Sequence, residues 1–179
     1  MTPTETEVKL RVANAASARE RLLRAGAQRI VPREFEDNLL FDDAGGGLRK
    51  AGGILRLRRT LRGGVVTFKG RRRVEDGLKS RDEIETEVSD ADAAQLLLER
   101  LGFKAVFRYQ KYRETWSLLE QTVVVDETPI GDFLEIEGEA EGIHQAAKAL
   151  GFSRADYLTE SYVGLFFAGG GKGDMVFPR

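Results

Sequence analysis

The chain has 179 residues, which suits one domain with a sizeable core, and 41% of them are hydrophobic, a value typical of globular proteins. No apolar run approaches the roughly 20 residues of a membrane span, and the absence of cysteine excludes disulfides and thiolate metal sites. Because the net charge is only -1, non-specific binding to nucleic acid is not expected, and we predict a cytoplasmic protein with neither nucleic-acid nor membrane partners.

The first half of the chain contains segments with the alternating polarity of strands. We predict strands over 4–12 and 30–41, a helix over 14–26 between them, a Gly-rich loop over 42–53 and a long strand over 79–88. The helix ends at Gly26, a residue that favours the left-handed conformation of a C-terminal stop. Between the loop and the long strand, 54–61 and 65–70 form a predicted hairpin around Gly63 and Gly64.

The second half predicts three more strands and three helices. Ser89 and Asp92 resemble a capping box, and the helix that follows them ends at Gly102. We predict strands over 103–118, 122–127 and 133–139, a helix over 142–150, and a last helix over 159–168 that covers the outer wall. The result is an α+β fold with one domain over 1–168 and a flexible tail over 169–179. Short connections between successive strands favour an antiparallel sheet or barrel.

Charged and apolar side chains alternate in nearly every predicted strand. Residues two apart share a strand face, so Glu5, Glu7 and Lys9 lie opposite Val8 and Leu10. Four other strands show the same pattern, and on each of them charged residues share one face. These groups are Arg56 and Arg58; Lys79, Arg81, Glu83, Glu85 and Glu87; Lys111 and Arg113; and Glu135 and Glu137. A sheet with its charged face in water is the usual meaning of such alternation. That interpretation stays open, above all for the acids of the strand over 79–88.

The signs of the charges are segregated by strand, which favours a different arrangement. Two strands carry the acidic pairs 5/7 and 135/137, and two others carry the basic pairs 56/58 and 111/113. Like charges on one face repel each other unless an opposite charge lies between them. Metal cations suit the acidic pairs and a polyanion suits the basic ones. A closed barrel with its charged face inward would gather both around a small ligand, with amphipathic helices covering the outside.

A set of short motifs resembles one known family. Glu5, Glu7 and Lys9 form an ExExK signature. Further matches follow in order at 38–42, 55–58, 67–70, 80–88, 111–114, 125–127, 131–138 and 161–162. Over nearly the whole chain, the sequence resembles the CYTH family, also called triphosphate tunnel metalloenzymes. This resemblance implies an eight-stranded antiparallel β-barrel with helices packed outside, a triphosphate-containing small molecule as substrate, and Mg²⁺ or Mn²⁺ as cofactor.

The resemblance also implies roles for individual residues. The implied metal ligands are Glu5, Glu7, Glu135 and Glu137. The implied substrate-binding residues are Lys9, Arg56, Arg58, Lys69, Arg81, Lys111 and Arg113. The implied catalytic residues are Lys9, Glu85 and Asp126, the last as a partner of metal or water. Leu40 stands where the family often has tyrosine, so a substrate-specific role is not expected at that position.

Three functions remain open for such a site. The family contains inorganic and thiamine triphosphatases and class IV adenylyl cyclases, and a non-catalytic polyphosphate- or nucleotide-binding module is the third alternative. Two acidic pairs argue against the module, because anion binding does not need them. Hydrolysis is favoured over cyclisation, because it has fewer structural requirements. The sequence also contains no motif that indicates a purine pocket. We expect a monomer or homodimer, and a solvent-exposed position for His144.

Overall fold

The computed structural model describes residues 4–60 and 63–178. Residues 1–3, 61, 62 and 179 lie outside this part, and with them the start of the predicted domain, the end of one hairpin strand and the end of the tail. The strands are β1 (Thr4–Val12), β2 (Gln28–Asp42), β3 (Ile54–Thr60), β4 (Gly63–Lys69), β5 (Arg73–Glu75), β6 (Leu78–Val88), β7 (Lys104–Leu118), β8 (Gln121–Thr128), β9 (Gly131–Glu137) and β10 (Tyr157–Leu158). The helices are α1 (Ala15–Arg24), α2 (Gly47–Ala51), α3 (Ala91–Arg100), α4 (Ala140–Ala149) and α5 (Tyr162–Ala168).

Eight of these strands close into an antiparallel barrel. Their order around it is β1, β9, β8, β7, β2, β3, β4 and β6, and β6 pairs back with β1. The short strands β5 and β10 extend the sheet beside β6 and β1. The predicted eight-stranded antiparallel barrel is therefore confirmed, and β5 is a strand that the sequence pattern did not indicate.

The charged face of the barrel points inward, and the apolar face points outward. Glu7 pairs directly with Glu137, and Lys9 with Glu135, so these side chains share one face of the sheet. On the opposite face, residues of β1, β8 and β9 pack with those of α1 and α4 in the main hydrophobic core. The open alternative of a charged face in water is thereby excluded for β1 and β9. On β6, for which that alternative was left open above all, Glu85 and Glu87 are exposed.

Helix ends follow local chemistry, with one difference from expectation. Asn14 caps α1 by accepting a hydrogen bond from the backbone N–H of Ser17. The cap of α3 is Asp90, whose carboxylate accepts the backbone N–H groups of residues 92 and 93, so the predicted Ser89 capping box is wrong. Aspartate is a strong helix cap, and here Asp90, one residue after Ser89, occupies the N-cap position. Of the described helices, none is long and apolar enough to cross a membrane.

Helix α3 covers the barrel much less than its sequence suggests. None of its residues is buried, and Leu97 and the following C-cap residue Leu101 are 61% and 66% exposed. It is held against the barrel by Arg59 of β3, which contacts Asp92 at 2.5 Å and Gln95 at 2.7 Å. The outer wall is therefore covered mainly by α1 and α4.

The end of the chain packs on the barrel and does not match two expectations. Tyr162 at the start of α5 is buried among Phe133 and Met175, so this helix does not simply cover the outer wall. Met175 lies in the tail that the sequence predicts to be flexible, yet its backbone bonds to Arg108 and Gln110 at 3.0 and 2.9 Å. The reason is that β8 pairs only with 112–118 of β7, which leaves the edge near 108–110 for the tail.

Candidate functional site

The barrel encloses a charged cavity of about 720 Å³. Nine basic and eight acidic side chains line it, so the lining is nearly neutral. The arrangement of these charges, and not their sum, therefore decides what binds. The Gly-rich loop after β2, the following Arg49 and helix α5 border the same cavity.

Three carboxylates meet on one side of the cavity and form the acid cluster Glu5, Glu7 and Glu137. One oxygen from each lies within 4.8 Å of the others, and among the described residues this is the group that could hold a metal ion. Two lysines neutralise the cluster: Lys69 Nζ lies 2.6 Å from Glu5, and Lys79 forms an ion pair with Glu7. Carboxylate oxygens are the hard ligands that Mg²⁺ and similar cations prefer. The donor set therefore fits a divalent cation.

The acids in and beside this cluster have shifted pKa values. Burial raises the pKa of Glu83 to about 7, and its hydrogen bond to Glu5 adds to the shift. Burial alone would raise the pKa of Glu5, but the hydrogen bond from Glu83 and the charge of Lys69 lower it to about 2. Burial also raises the pKa of Glu137, next to the charges of Glu5 and Glu135. Concentrated acids of this kind are common where a protein binds metal or moves protons.

The fourth predicted metal ligand, Glu135, lies outside the acid cluster. Its carboxylate forms ion pairs with Lys9 and Arg113. Burial would raise its pKa, but these cations hold the pKa of Glu135 well below the ordinary value. A metal role for Glu135 stays a prediction, since the structure pairs this residue with two of the predicted phosphate binders.

A cationic wall faces the cavity and consists of Arg56, Arg58, Lys111 and Arg113. Arg56 and Arg58 lie on β3, and Lys111 and Arg113 lie on β7, with β2 between the two strands. The Nε atoms of Arg56 and Arg58, and two nitrogens of Arg81, are buried without a hydrogen-bond partner. Buried donors without partners cost free energy, and oxygen atoms of a bound anion would satisfy them.

Asp126 lies behind this wall and is fully buried. It accepts hydrogen bonds from Lys111 at 3.0 Å, from Arg113 at 2.8 and 2.6 Å, and from the hydroxyl of Tyr162 at 2.8 Å. Its oxygens are thus occupied by donors, and it does not border the cavity. The predicted catalytic role of Asp126 stays a prediction, and its geometry is that of a residue that orients Lys111 and Arg113.

Glu85 is the most open of the predicted site residues. Its side chain is 42% exposed, accepts a hydrogen bond from Thr67 at 2.9 Å and lies 3.4 Å from Arg56. Like Glu135, it forms ion pairs with cationic side chains and lies outside the acid cluster. Its catalytic role also stays a prediction.

Sequence reasoning assigned no role to several residues of the site. Lys79 had appeared in the alternation on β6, and its position beside Glu7 follows from the pairing of β1 with β6. Glu36 and Asn38 share the inward face of β2 and are 5% and 0% exposed. Tyr162 packs its ring 3.9 Å from Lys9 Nζ, a cation–π contact. The alternation on β2 was a signal for Glu36. Tyr162 was indicated only by the family-matching motif at 161–162, and no alternation predicted its inward position.

His144 is also less exposed than expected. Its side chain is 13% exposed, and its ring stacks on Tyr157 with centroids 5.7 Å apart. Its two ring nitrogens lie within 3.2 Å of Tyr157 and Asp76, on the outside of the barrel.

Comparison with known proteins agrees with this geometry. The domain profile named CYTH domain matches residues 3–162. The chain belongs to the CYTH domain family. The resemblance drawn from the ExExK signature and the motifs after it is therefore confirmed.

Relatives of this CYTH chain span almost its whole length. A Methanocaldococcus jannaschii protein named as a candidate adenylate cyclase is 26% identical over 172 residues, which is 90% of this chain and 97% of that protein. A solved structure of a candidate adenylate cyclase from Vibrio parahaemolyticus has a TM-score of 0.80 at 20% identity and covers 93% and 99% of the two chains. A Hippeastrum structure, with a TM-score of 0.72 at 20% identity, covers 94% and 97% of the two chains. That candidate adenylyl cyclase is described as having a dominant triphosphatase activity.

Proposed function

We propose that this CYTH protein is a metal-dependent enzyme that hydrolyses a triphosphate bound inside its barrel. The observation that carries the proposal is the acid cluster facing the cationic wall across one cavity. Such a site offers oxygen ligands to a divalent cation and N–H donors to phosphate oxygens at the same time.

The cationic wall would bind the phosphates. Arginine forks match the geometry of phosphate oxygens, while lysines act as point charges. Arg56 and Arg58 carry unpaired N–H groups, and Asp126 holds Lys111 and Arg113 in fixed positions. Donors that are fixed in advance stabilise the charge that spreads over the phosphoryl oxygens in the transition state. Lys9, Lys69 and Arg81 extend this positive surface along the cavity.

Glu5, Glu7 and Glu137 would hold the metal, and we infer Mg²⁺ or Mn²⁺ from the all-carboxylate donor set. When bound, such a cation polarises phosphate oxygens and makes a nearby water more acidic. Lys69 and Lys79 occupy the cluster with their own charges, so each would have to loosen its ion pair as the acids engage a metal. Because the cavity lining is nearly neutral, a polyanionic substrate needs this additional positive charge.

Adenylyl cyclase activity is the second candidate, and one observation favours it. Leu40, Phe107 and Phe167 border the cavity beside the charged residues and form an apolar rim. Leu40 pairs with Phe107 on one side and with Arg56 on the other, so an organic group attached to the phosphates would meet this rim. The names of the relatives point in the same direction, although the Hippeastrum protein is described by its triphosphatase activity.

The experiment separates these functions by product. The protein is incubated with Mg²⁺ or Mn²⁺ and, in separate reactions, inorganic triphosphate, thiamine triphosphate or ATP. Phosphate, pyrophosphate and cyclic AMP are then measured. We expect phosphate release, and we expect Glu7→Gln and Glu137→Gln to abolish it while circular dichroism shows an intact barrel. Cyclic AMP with equimolar pyrophosphate would establish the cyclase instead, and full activity in both variants would refute the metal site.

A further inference from the structure

Glu36 is a buried carboxylate that lies behind the cationic wall. It is 5% exposed, stands on the inward face of β2 between β3 and β7, and does not border the cavity. Its Oε1 is 3.5 Å from Arg58 and its Oε2 is 3.6 Å from Lys111. Among the described residues, Oε2 has no hydrogen-bond partner. Glu36 therefore faces two cations without forming a short hydrogen bond to either.

Asp126 shows by contrast what an orienting carboxylate looks like in this barrel. Both acids lie beside Lys111, but Asp126 contacts its donors at 2.6 to 3.0 Å, within hydrogen-bond length. The contacts of Glu36 exceed that length and impose little directional constraint on Arg58 or Lys111. The main effect of Glu36 on the cationic wall is therefore its charge.

That charge persists inside the barrel. Burial would raise the pKa of Glu36, but Lys111, Arg113, Arg58 and Arg56 lower it to about 2, so the carboxylate stays ionised at neutral pH. Charges in a buried site are screened much less than charges on a surface. A phosphate that contacts Arg58 and Lys111 thus lies close enough to Glu36 to be repelled by it.

We propose that Glu36 is a built-in counter-anion that weakens anion binding at Arg58 and Lys111 and thereby promotes the release of phosphate products. The inference rests on the proposed function, because cleavage of a triphosphate leaves anionic products on the same cations. Glu36 does not touch the substrate. It acts through the cationic wall, and its effect increases with the charge of the bound anion.

Calorimetric titration of the wild-type protein and Glu36→Gln with pyrophosphate tests the proposal. Glutamine keeps the size of the side chain and removes its charge, so pyrophosphate should bind roughly tenfold more tightly to the variant, and monophosphate should gain less. In steady-state assays with triphosphate, both KM and kcat should fall, because tighter product binding slows release.

Two variants serve as controls. Glu114 is a buried acid, 2% exposed, that pairs with Arg19 at 2.6 Å and Arg29 at 3.3 Å away from the cavity. Glu114→Gln removes a buried charge of the same kind and should leave pyrophosphate affinity unchanged. Asp126→Asn should weaken pyrophosphate binding, because it loosens Lys111 and Arg113. Glu36→Gln and Asp126→Asn are thus expected to change pyrophosphate affinity in opposite directions.

Unchanged or weaker pyrophosphate binding by Glu36→Gln would overturn the inference. A wild-type protein that binds neither pyrophosphate nor triphosphate would instead contradict the proposed function. If Glu36→Gln is too unstable for calorimetry, the rise in melting temperature on adding pyrophosphate is compared, and it should exceed that of the wild type. Glu36→Asp keeps the charge and should bind pyrophosphate as the wild type does. If Glu36→Asp instead binds pyrophosphate as tightly as Glu36→Gln, the counter-anion role is also refuted.

Discussion

Carboxylates of the same type acquire different roles in this barrel according to their immediate neighbours. Glu7 and Glu137 lie together in the acid cluster, where Lys79 forms an ion pair with Glu7. Glu135 and Asp126, by contrast, pair with arginine and lysine. Glu36 is surrounded by cations but bonded to none at short range. Residue identity therefore says little about function here until the partners of each acid are known.

Glu36 leads to a prediction about pH and stability. Its pKa is lowered from the ordinary value of 4.5 to about 2 in the folded state. A lowered pKa stabilises the folded state above about pH 4.5, and this contribution is lost as the pH falls from about 4.5 towards 2. The free energy of unfolding of the wild type and of Glu36→Gln is measured in urea at pH 6 and pH 3. Relative to Glu36→Gln, the wild type should lose about 2 kcal/mol of stability at the lower pH.

The comparison of the two proteins cancels the titration of the other acids. A stability difference that is the same at pH 6 and pH 3 would contradict the ion pairing of Glu36. This measurement needs neither metal nor substrate, so it tests the charge of Glu36 independently of catalysis.

At the scale of elements, the strands supply the charges while the end of the chain closes one part of the barrel. Helix α5 has only seven residues, yet its first residue, Tyr162, contacts Lys9 and Asp126 inside the tunnel. The tail beyond it places Met175 in the same hydrophobic cluster as Phe107. Helix and tail therefore act together as a support for the cationic side of the site.

Met175→Ala tests this support. Truncation of a buried methionine removes packing contacts and leaves a cavity, so the free energy of unfolding should fall by about 2–4 kcal/mol. Triphosphate affinity should also fall, because Tyr162 loses a neighbour in its cluster. Lys172→Ala, an exposed change in the same tail, should alter neither quantity. If Met175→Ala matches Lys172→Ala in urea unfolding, the packed tail is not a support.

At the scale of the whole molecule, the barrel gathers acids and bases that are distant in sequence around one nearly neutral space. Glu7 and Glu137 are separated by 130 positions and yet pair directly, because β1 and β9 are neighbours. Repulsion within the acid cluster is offset by Lys69 and Lys79. A divalent cation bound there would offset it more completely, and its binding would then stabilise the barrel.

The coupling predicts a metal-dependent melting temperature. A cation that binds the folded protein alone, at about 100 times its Kd, stabilises it by about 2.7 kcal/mol. Mn²⁺ or Mg²⁺ should therefore raise the melting temperature of the wild type and of Glu75→Gln, a change at an exposed acid on β5. The same addition should have little effect on Glu7→Gln. An equal rise in Glu7→Gln would place the cation elsewhere.

Which side chains share a strand face could be predicted from the amino-acid sequence, because alternation with a period of two depends only on local backbone geometry. The sequence therefore indicated that Glu5 and Glu7 are neighbours and that Arg56 and Arg58 are neighbours. The ordered motifs identified the family and its barrel. The cap at Asp90 and the small contribution of α3 to the core show how local signals fail when two similar residues compete or when a helix packs loosely.

Which strand faces meet in the barrel could not be predicted in this way. The grouping of Glu137 with Glu5 and Glu7, and of Glu135 with Lys9, depends on strand order and register, which are set by the closure of the whole barrel. The burial of Met175 depends in the same way on the edge of β7 that β8 leaves free. Contacts between segments far apart in sequence arise from the packing of the complete chain, and no local pattern encodes them.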